Sequence, residues 1–273
     1  MIMIAKKPVA LSIISALVLS AFWIIAQIIL SHIFEHPESQ TSFFMRAAIN
    51  IAFAVFAVVF FGIVHRVNGF KHIFTTKGLA IGLLALLPVS AFFLFGLMLN
   101  ASGMSNADAE NIRIFPAIAF IQITSAFIQN VLFRGLLITA LFIRFSNTKN
   151  ERIKSVFKAA ALYLVIYIPL NIFINGGIEL MQLINTFIVG AGFCTAYLYS
   201  RNILSLIIIQ GVWQVLGSAI NLFGTNGEPT VSPLLFIVLV VILISIIVVA
   251  IKLSKCAEPF ILEEQKTKLE VKR

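Results

Sequence analysis

Apolar residues run along this chain in stretches of about twenty rather than alternating with polar ones. Eight such stretches stand out: residues 8–30, 47–65, 78–100, 114–143, 156–174, 180–200, 203–223 and 233–253. A helix rises about 1.5 Å per residue, so roughly twenty residues cross the hydrocarbon core of a bilayer. Backbone groups in lipid must be satisfied within the segment or around a closed barrel, and a barrel reads as alternating segments of about ten residues. The pattern therefore predicts an all-α, polytopic membrane bundle of about eight transmembrane helices. The fourth stretch is long enough to require tilt or extension beyond the bilayer. The first follows Lys6 and Lys7 as a signal peptide would, but its apolar part exceeds a signal core and no small-residue cleavage site ends it. It reads as a retained first helix.

Composition agrees. The 273 residues are 60% hydrophobic and 11% charged, with a mean hydropathy of +1.04. A soluble domain has about 45–50% apolar and 25% charged residues. Charge placement then orients the spans. With the amino terminus in the cytoplasm, only Arg46 and Arg113 of the 20 Lys and Arg residues fall on the outer side, and Arg134 lies within a span. The outer loops carry Glu35, Glu38, Asp108, Glu110, Glu179 and Glu228. This is the positive-inside pattern, and an even number of spans puts both termini in the cytoplasm of a multi-pass cell-membrane protein. The net charge of +9 is thus topogenic, with the lipid bilayer as its partner. It does not predict nucleic-acid binding, because no basic run with interleaved aromatics sits on a soluble domain. Cys194 and Cys256 have no disulfide or zinc spacing, and the terminal EVKR is no prenylation box. Neither repeats nor linkers divide the chain. Residues 1–253 read as one bundle and 254–273 as a charged cytoplasmic tail.

Polar residues within spans face a bundle interior or a wet cavity, and here they cluster. The first three spans hold little beyond Gln27 and hydroxyls. The fourth holds Gln122, Thr124, Ser125, Gln129, Asn130 and Arg134; the fifth Asn171; the sixth Asn185 and Thr186; the seventh Gln210, Gln214 and Asn221. Gln122, Ser125 and Gln129 share one helix face, and Asn130 with Arg134, like Gln210 with Gln214, are one turn apart. Several helices therefore point amides at one region. Two readings stay open: hydrogen-bonded glue between helices, or a functional cavity. A separate stretch, HIFEH from His32 to His36, fits the inverted zinc-peptidase pattern H-x-x-E-H. Pro37 ends a helix there, and the stretch lies across the bilayer from the amides, so an ordinary wet loop is the preferred reading. No metal or cofactor is expected.

The segment FIQNVLFRG, residues 127–135, resembles the EExxFRG signature of the CPBP family, the CAAX-protease and bacteriocin-processing membrane proteins related to lysostaphin-resistance protein A. YIPLN, residues 167–171, is similar to the family's second motif. YSRNILSLIIIQGVWQ, residues 199–214, is similar to the third. The resemblance covers about residues 80–223. It implies that Gln129 and Asn130 stand where the family has two glutamates, Asn171 and Gln210 where it has two histidines, and Gln214 where it has an asparagine. Of the polar set only Arg134 is retained. Carboxylates and imidazoles accept and return protons near neutral pH; primary amides keep the size and hydrogen bonding without that capacity. No catalytic residues are therefore expected. The resemblance implies a non-catalytic membrane protein that binds or scaffolds another membrane or envelope protein or peptide, with bacteriocin self-immunity among the roles it suggests. The alternative is a CAAX-type intramembrane peptidase working through other residues. A transporter is a weaker reading, because no intramembrane carboxylate marks a coupling-ion site. Arg134, lacking a carboxylate from its own motif, is expected near the cytoplasmic end of the fourth helix. There it could bind backbone carbonyls, snorkel to the interface or meet an acid from a partner or lipid.

Overall fold

The computed structural model describes residues 6–33, 40–68, 76, 78–87, 89–91, 109–139, 141, 149–175, 177, 180–200 and 202–223, with isolated positions at 241, 244, 245 and 248. All regular structure among them is helical. The elements are α1 (Lys6–Ile33), α2 (Gln40–Asn68), α3 (Leu79–Ala85), α4 (Ala109–Gln129), a π-helix (Asn130–Ile138), α5 (Lys149–Asn175), α6 (Leu180–Ser200) and α7 (Ile203–Phe223). Ile13–Leu30, Phe43–Phe60, Ala109–Ile138 and Ile203–Ile220 are each long and apolar enough to cross a membrane, and Thr186–Ser200 is a shorter apolar helix. Large apolar side chains such as Phe22, Val55, Ile63, Leu84 and Val165 are exposed on the outer surface. Helices that are apolar on the outside as well as the inside suit a lipid surround, and the chain is a membrane protein.

The predicted helices at 180–200 and 203–223 coincide with α6 and α7. The third stretch is described as helical only over α3, Leu87 and residues 89–91, and the rest of it to residue 100 lies outside the described residues. Of the eighth, Val241, Ile244, Ser245 and Val248 are helical, with Ser245 Oγ donating to the Val241 carbonyl at 2.9 Å. The tail 254–273, and HIFEH beyond Ile33, also lie outside the described residues.

Short polar segments set how the helices meet. Asn202 caps α7: the Ser205 N–H donates to Asn202 Oδ1 at 2.8 Å, and the Asn202 N–H donates to Ser200 Oγ at 3.2 Å. An Asn at this position satisfies a donor that the first helical turn leaves free. The first turns of α3 rest on the same corner. Gly78 has a φ of 81°, and a Cβ there would strike the Ser200 carbonyl. A Cβ on Gly82 would lie 2.7 Å from the Ser205 Cβ. Helices α4 and α7 pack antiparallel along their length. Asn111 Nδ2 donates to the Leu222 carbonyl at 3.2 Å, Phe115 meets Phe223 with ring centroids 5.5 Å apart, and Gly211 faces Ile123 and Ala126.

One correction concerns α1 and α2. The sequence shows little in the early spans beyond Gln27 and hydroxyls, yet Asn50 is wholly buried between them. Its Oδ1 accepts from Gln27 Nε2 at 2.8 Å and from Trp23 Nε1 at 3.4 Å. A lone amide in an apolar run reads as incidental until its cross-helix donors are known.

Candidate functional site

The α4 register changes where the family-like motif begins. Regular α-helix ends at Gln129, and Asn130–Ile138 continues as π-helix with every residue buried. Such widened turns are uncommon and concentrate at functional sites. Thr139 Oγ1 closes the segment by donating to the Arg134 carbonyl, five residues back, at 3.4 Å.

The cluster is directional because a guanidinium can only donate. Arg134 Nη1 donates to Gln210 Oε1 at 3.0 Å, and Asn130 Nδ2 donates to the same oxygen at 3.0 Å. Gln210 must therefore turn its Nε2 the other way, where it donates to Gln129 Oε1. That oxygen also accepts from the Tyr163 hydroxyl at 3.4 Å and, more weakly, from Gln214 Nε2 at 3.5 Å. Asn130 Nδ2 bonds back to the Ala126 carbonyl at 2.7 Å as well. Gln129, Asn130, Arg134 and Gln210 are all buried, and Gln214 is partly so.

Arg134 is 1% exposed, so of the three options open to it from sequence, snorkelling to the interface is the one its burial disfavours. Its guanidinium lies between two aromatic rings, 4.9 Å from the centroid of Tyr163 and 4.9 Å from that of Phe193. Stacked rings and an amide oxygen take the place of a counter-ion. Glu110 is the one carboxylate whose side chain is described, and it sits in the first turn of α4, roughly 36 Å along the helix from Arg134 by helical rise. The aromatic wall extends outward: Phe133 meets Tyr163 edge-on at 5.0 Å, Tyr163 and Tyr167 are 4.5 Å apart, and Tyr167 meets Trp23 at 6.3 Å.

Five of the six residues singled out from sequence therefore come together: Gln129, Asn130, Arg134, Gln210 and Gln214. The backbone of Asn171 belongs to α5, one turn beyond Tyr167, and its side chain lies outside the described ones. Sequence reasoning missed Tyr163 and Phe193. Tyr163 had a signal, since it precedes Tyr167 of the second motif by one helical turn. Phe193 had none among so many phenylalanines. Gly190 makes room for the wall, because a Cβ there would lie 3.2 Å from Tyr163 Cδ1.

Several polar atoms of the cluster have no hydrogen-bond partner among the described residues: Asn130 Oδ1, Arg134 Nε, the Tyr167 hydroxyl and Gln214 Oε1. The free thiol of Cys194 is buried. Within the cluster, no described side chain is a carboxylate or imidazole that could act as a general base near neutral pH.

This is a membrane helix bundle with a buried amide and arginine cluster at the crossing of α4 and α7. The family model for the type II CAAX prenyl endopeptidase Rce1-like proteins matches residues 111–216, so the chain carries an Rce1-like domain, of the CPBP family, from α4 into α7. No curated protein and no solved structure matches the chain.

Proposed function

We propose that this Rce1-like domain is non-catalytic and that the protein acts as a binding partner, scaffold or regulator of another membrane or envelope protein or peptide. The observation that carries the reading is the amide content of the cluster: Gln129 accepts from Gln210, and Gln210 accepts from Arg134. Every position where the family resemblance places an acid or base holds a group that can share protons but not transfer them. About eight spans with both termini in the cytoplasm complete the picture, and bacteriocin self-immunity is among the envelope roles that fit it. A CAAX-type peptidase using other residues draws its support from the match over residues 111–216. It needs a base beside a hydroxyl or the Cys194 thiol, and Arg134 cannot serve as one.

The test is complementation of a deletion strain. Gln129→Ala should retain the physiological activity. Gly190→Leu, which drives a side chain into Tyr163, should lose it while still reaching the membrane. Loss of activity in a folded, normally abundant Gln129→Ala protein would argue for chemistry at the cluster.

A further inference from the structure

An apolar groove of about 480 Å³ runs along the seam between α1 and α2, lined by Val18, Leu19 and Phe22 from one helix and Ala52, Phe53 and Phe56 from the other. Its volume falls within the roughly 300–1,000 Å³ of small-ligand sites. The groove exists because of a mismatch in side-chain size: Ala52 leaves space that the flanking phenylalanines do not fill.

Arg46 stands above it. Phe53 follows Arg46 by seven positions, which brings the two onto one stripe of α2, about 10 Å apart along the axis. The side chain is half-buried, within the apolar window Phe43–Phe60. Its Nε is covered and has no hydrogen-bond partner among the described residues. A turn further on, Asn50 Nδ2 is a second buried donor without a partner, while Asn50 Oδ1 is engaged by Gln27. A cation with an unmet donor thus lies on the same stripe of α2 as an apolar groove that opens to lipid, about two turns from it. An anionic acceptor that carries an apolar chain would match both features, since a guanidinium pairs well with phosphate oxygens.

We propose that the α1–α2 seam binds one anionic phospholipid, its phosphate at Arg46 and one acyl chain in the groove. The Gln40 end of α2 sets the leaflet; in the orientation proposed above it is the outer one, and the site itself does not depend on that orientation.

The chain has two tryptophans, and Trp23 adjoins groove residue Phe22. In a Trp213→Phe background, the protein is reconstituted in vesicles of phosphatidylcholine containing acyl-brominated phosphatidylglycerol or acyl-brominated phosphatidylcholine. Quenching of Trp23 should favour the anionic lipid by roughly fivefold in relative affinity, as one basic contact near a lipid surface gives. Arg46→Gln should abolish the preference, Arg46→Lys should keep most of it, and Ala52→Phe should reduce quenching by both lipids. Native mass spectrometry of the unmutated protein should retain one phosphatidylglycerol in detergent. Equal quenching by the two lipids, a preference that survives Arg46→Gln, or an Ala52→Phe protein quenched as before would each overturn the proposal.

Discussion

Arg134 Nη1 donates to Gln210 Oε1 at 3.0 Å, and that bond determines how the neighbouring amides point. Gln210 is left with its Nε2 facing Gln129, and Gln129 with its Oε1 facing three donors. The two glutamines are therefore unequal, although sequence alone treats them alike.

Their inequality predicts an order of stability. Gln129→Leu leaves the neutral donors of Gln210 and Tyr163 without their acceptor. Gln210→Leu removes the oxygen that Arg134 and Asn130 share, so a buried guanidinium loses its acceptor. An unmet buried donor costs about 1–3 kcal/mol, and more when it is charged. Thermal unfolding in detergent should place Gln210→Leu below Gln129→Leu, both measured against the unmutated protein. The reverse order would show that Gln210 is not the acceptor on which Arg134 depends.

Glycines give a second contrast. The Cβ of Gly211→Ala would meet nothing nearer than 3.9 Å, whereas that of Gly82→Ala would lie 2.7 Å from the Ser205 Cβ. Alanine in a helix interior gains roughly 0.5–1 kcal/mol over glycine where space allows, and overpacking costs about 1–3 kcal/mol. Chemical denaturation should find Gly211→Ala as stable as the unmutated protein or more so, and Gly82→Ala less stable. A Gly82→Ala protein of full stability would count against the close seat of α3 on the α6–α7 corner.

Much of this arrangement was legible in the sequence because membrane helices announce themselves by length. The stretches at 180–200 and 203–223 matched α6 and α7 to the residue. The convergence of Gln129 with Gln210 was legible because polar groups in apolar helices must find each other. What stayed hidden depends on distance rather than pattern. The π-helix at Asn130–Ile138 has no compositional mark, since its residues would suit an ordinary helix. The burial of Arg134 depended on Phe193 and Tyr163 closing over it; Tyr163 had only its one-turn spacing from Tyr167 to mark it, and Phe193 had nothing. Asn50 was overlooked because its partners, Trp23 and Gln27, lie on another helix.

The orientation carries its own prediction. In a Cys256→Ser background, single cysteines at Asn106 or Asn226 should react with an impermeant thiol reagent added outside whole cells. One at Asn147 should react only after permeabilisation. Labelling of Asn147 alone in intact cells would invert the topology.

The central claim is that the amide cluster performs no hydrolysis. A missing general base alone commonly costs two to four orders of magnitude in rate, roughly, and here Gln129, Asn130 and Gln210 all lack acid–base capacity. The most direct measurement is single-turnover cleavage of a prenylated membrane peptide ending in C-a-a-X by the purified, reconstituted protein, beside its Gln129→Ala and Asn171→Ala variants. The account predicts that all three leave the peptide intact at the rate of empty vesicles. Cleavage by the unmutated protein that disappears in Gln129→Ala or Asn171→Ala would contradict it.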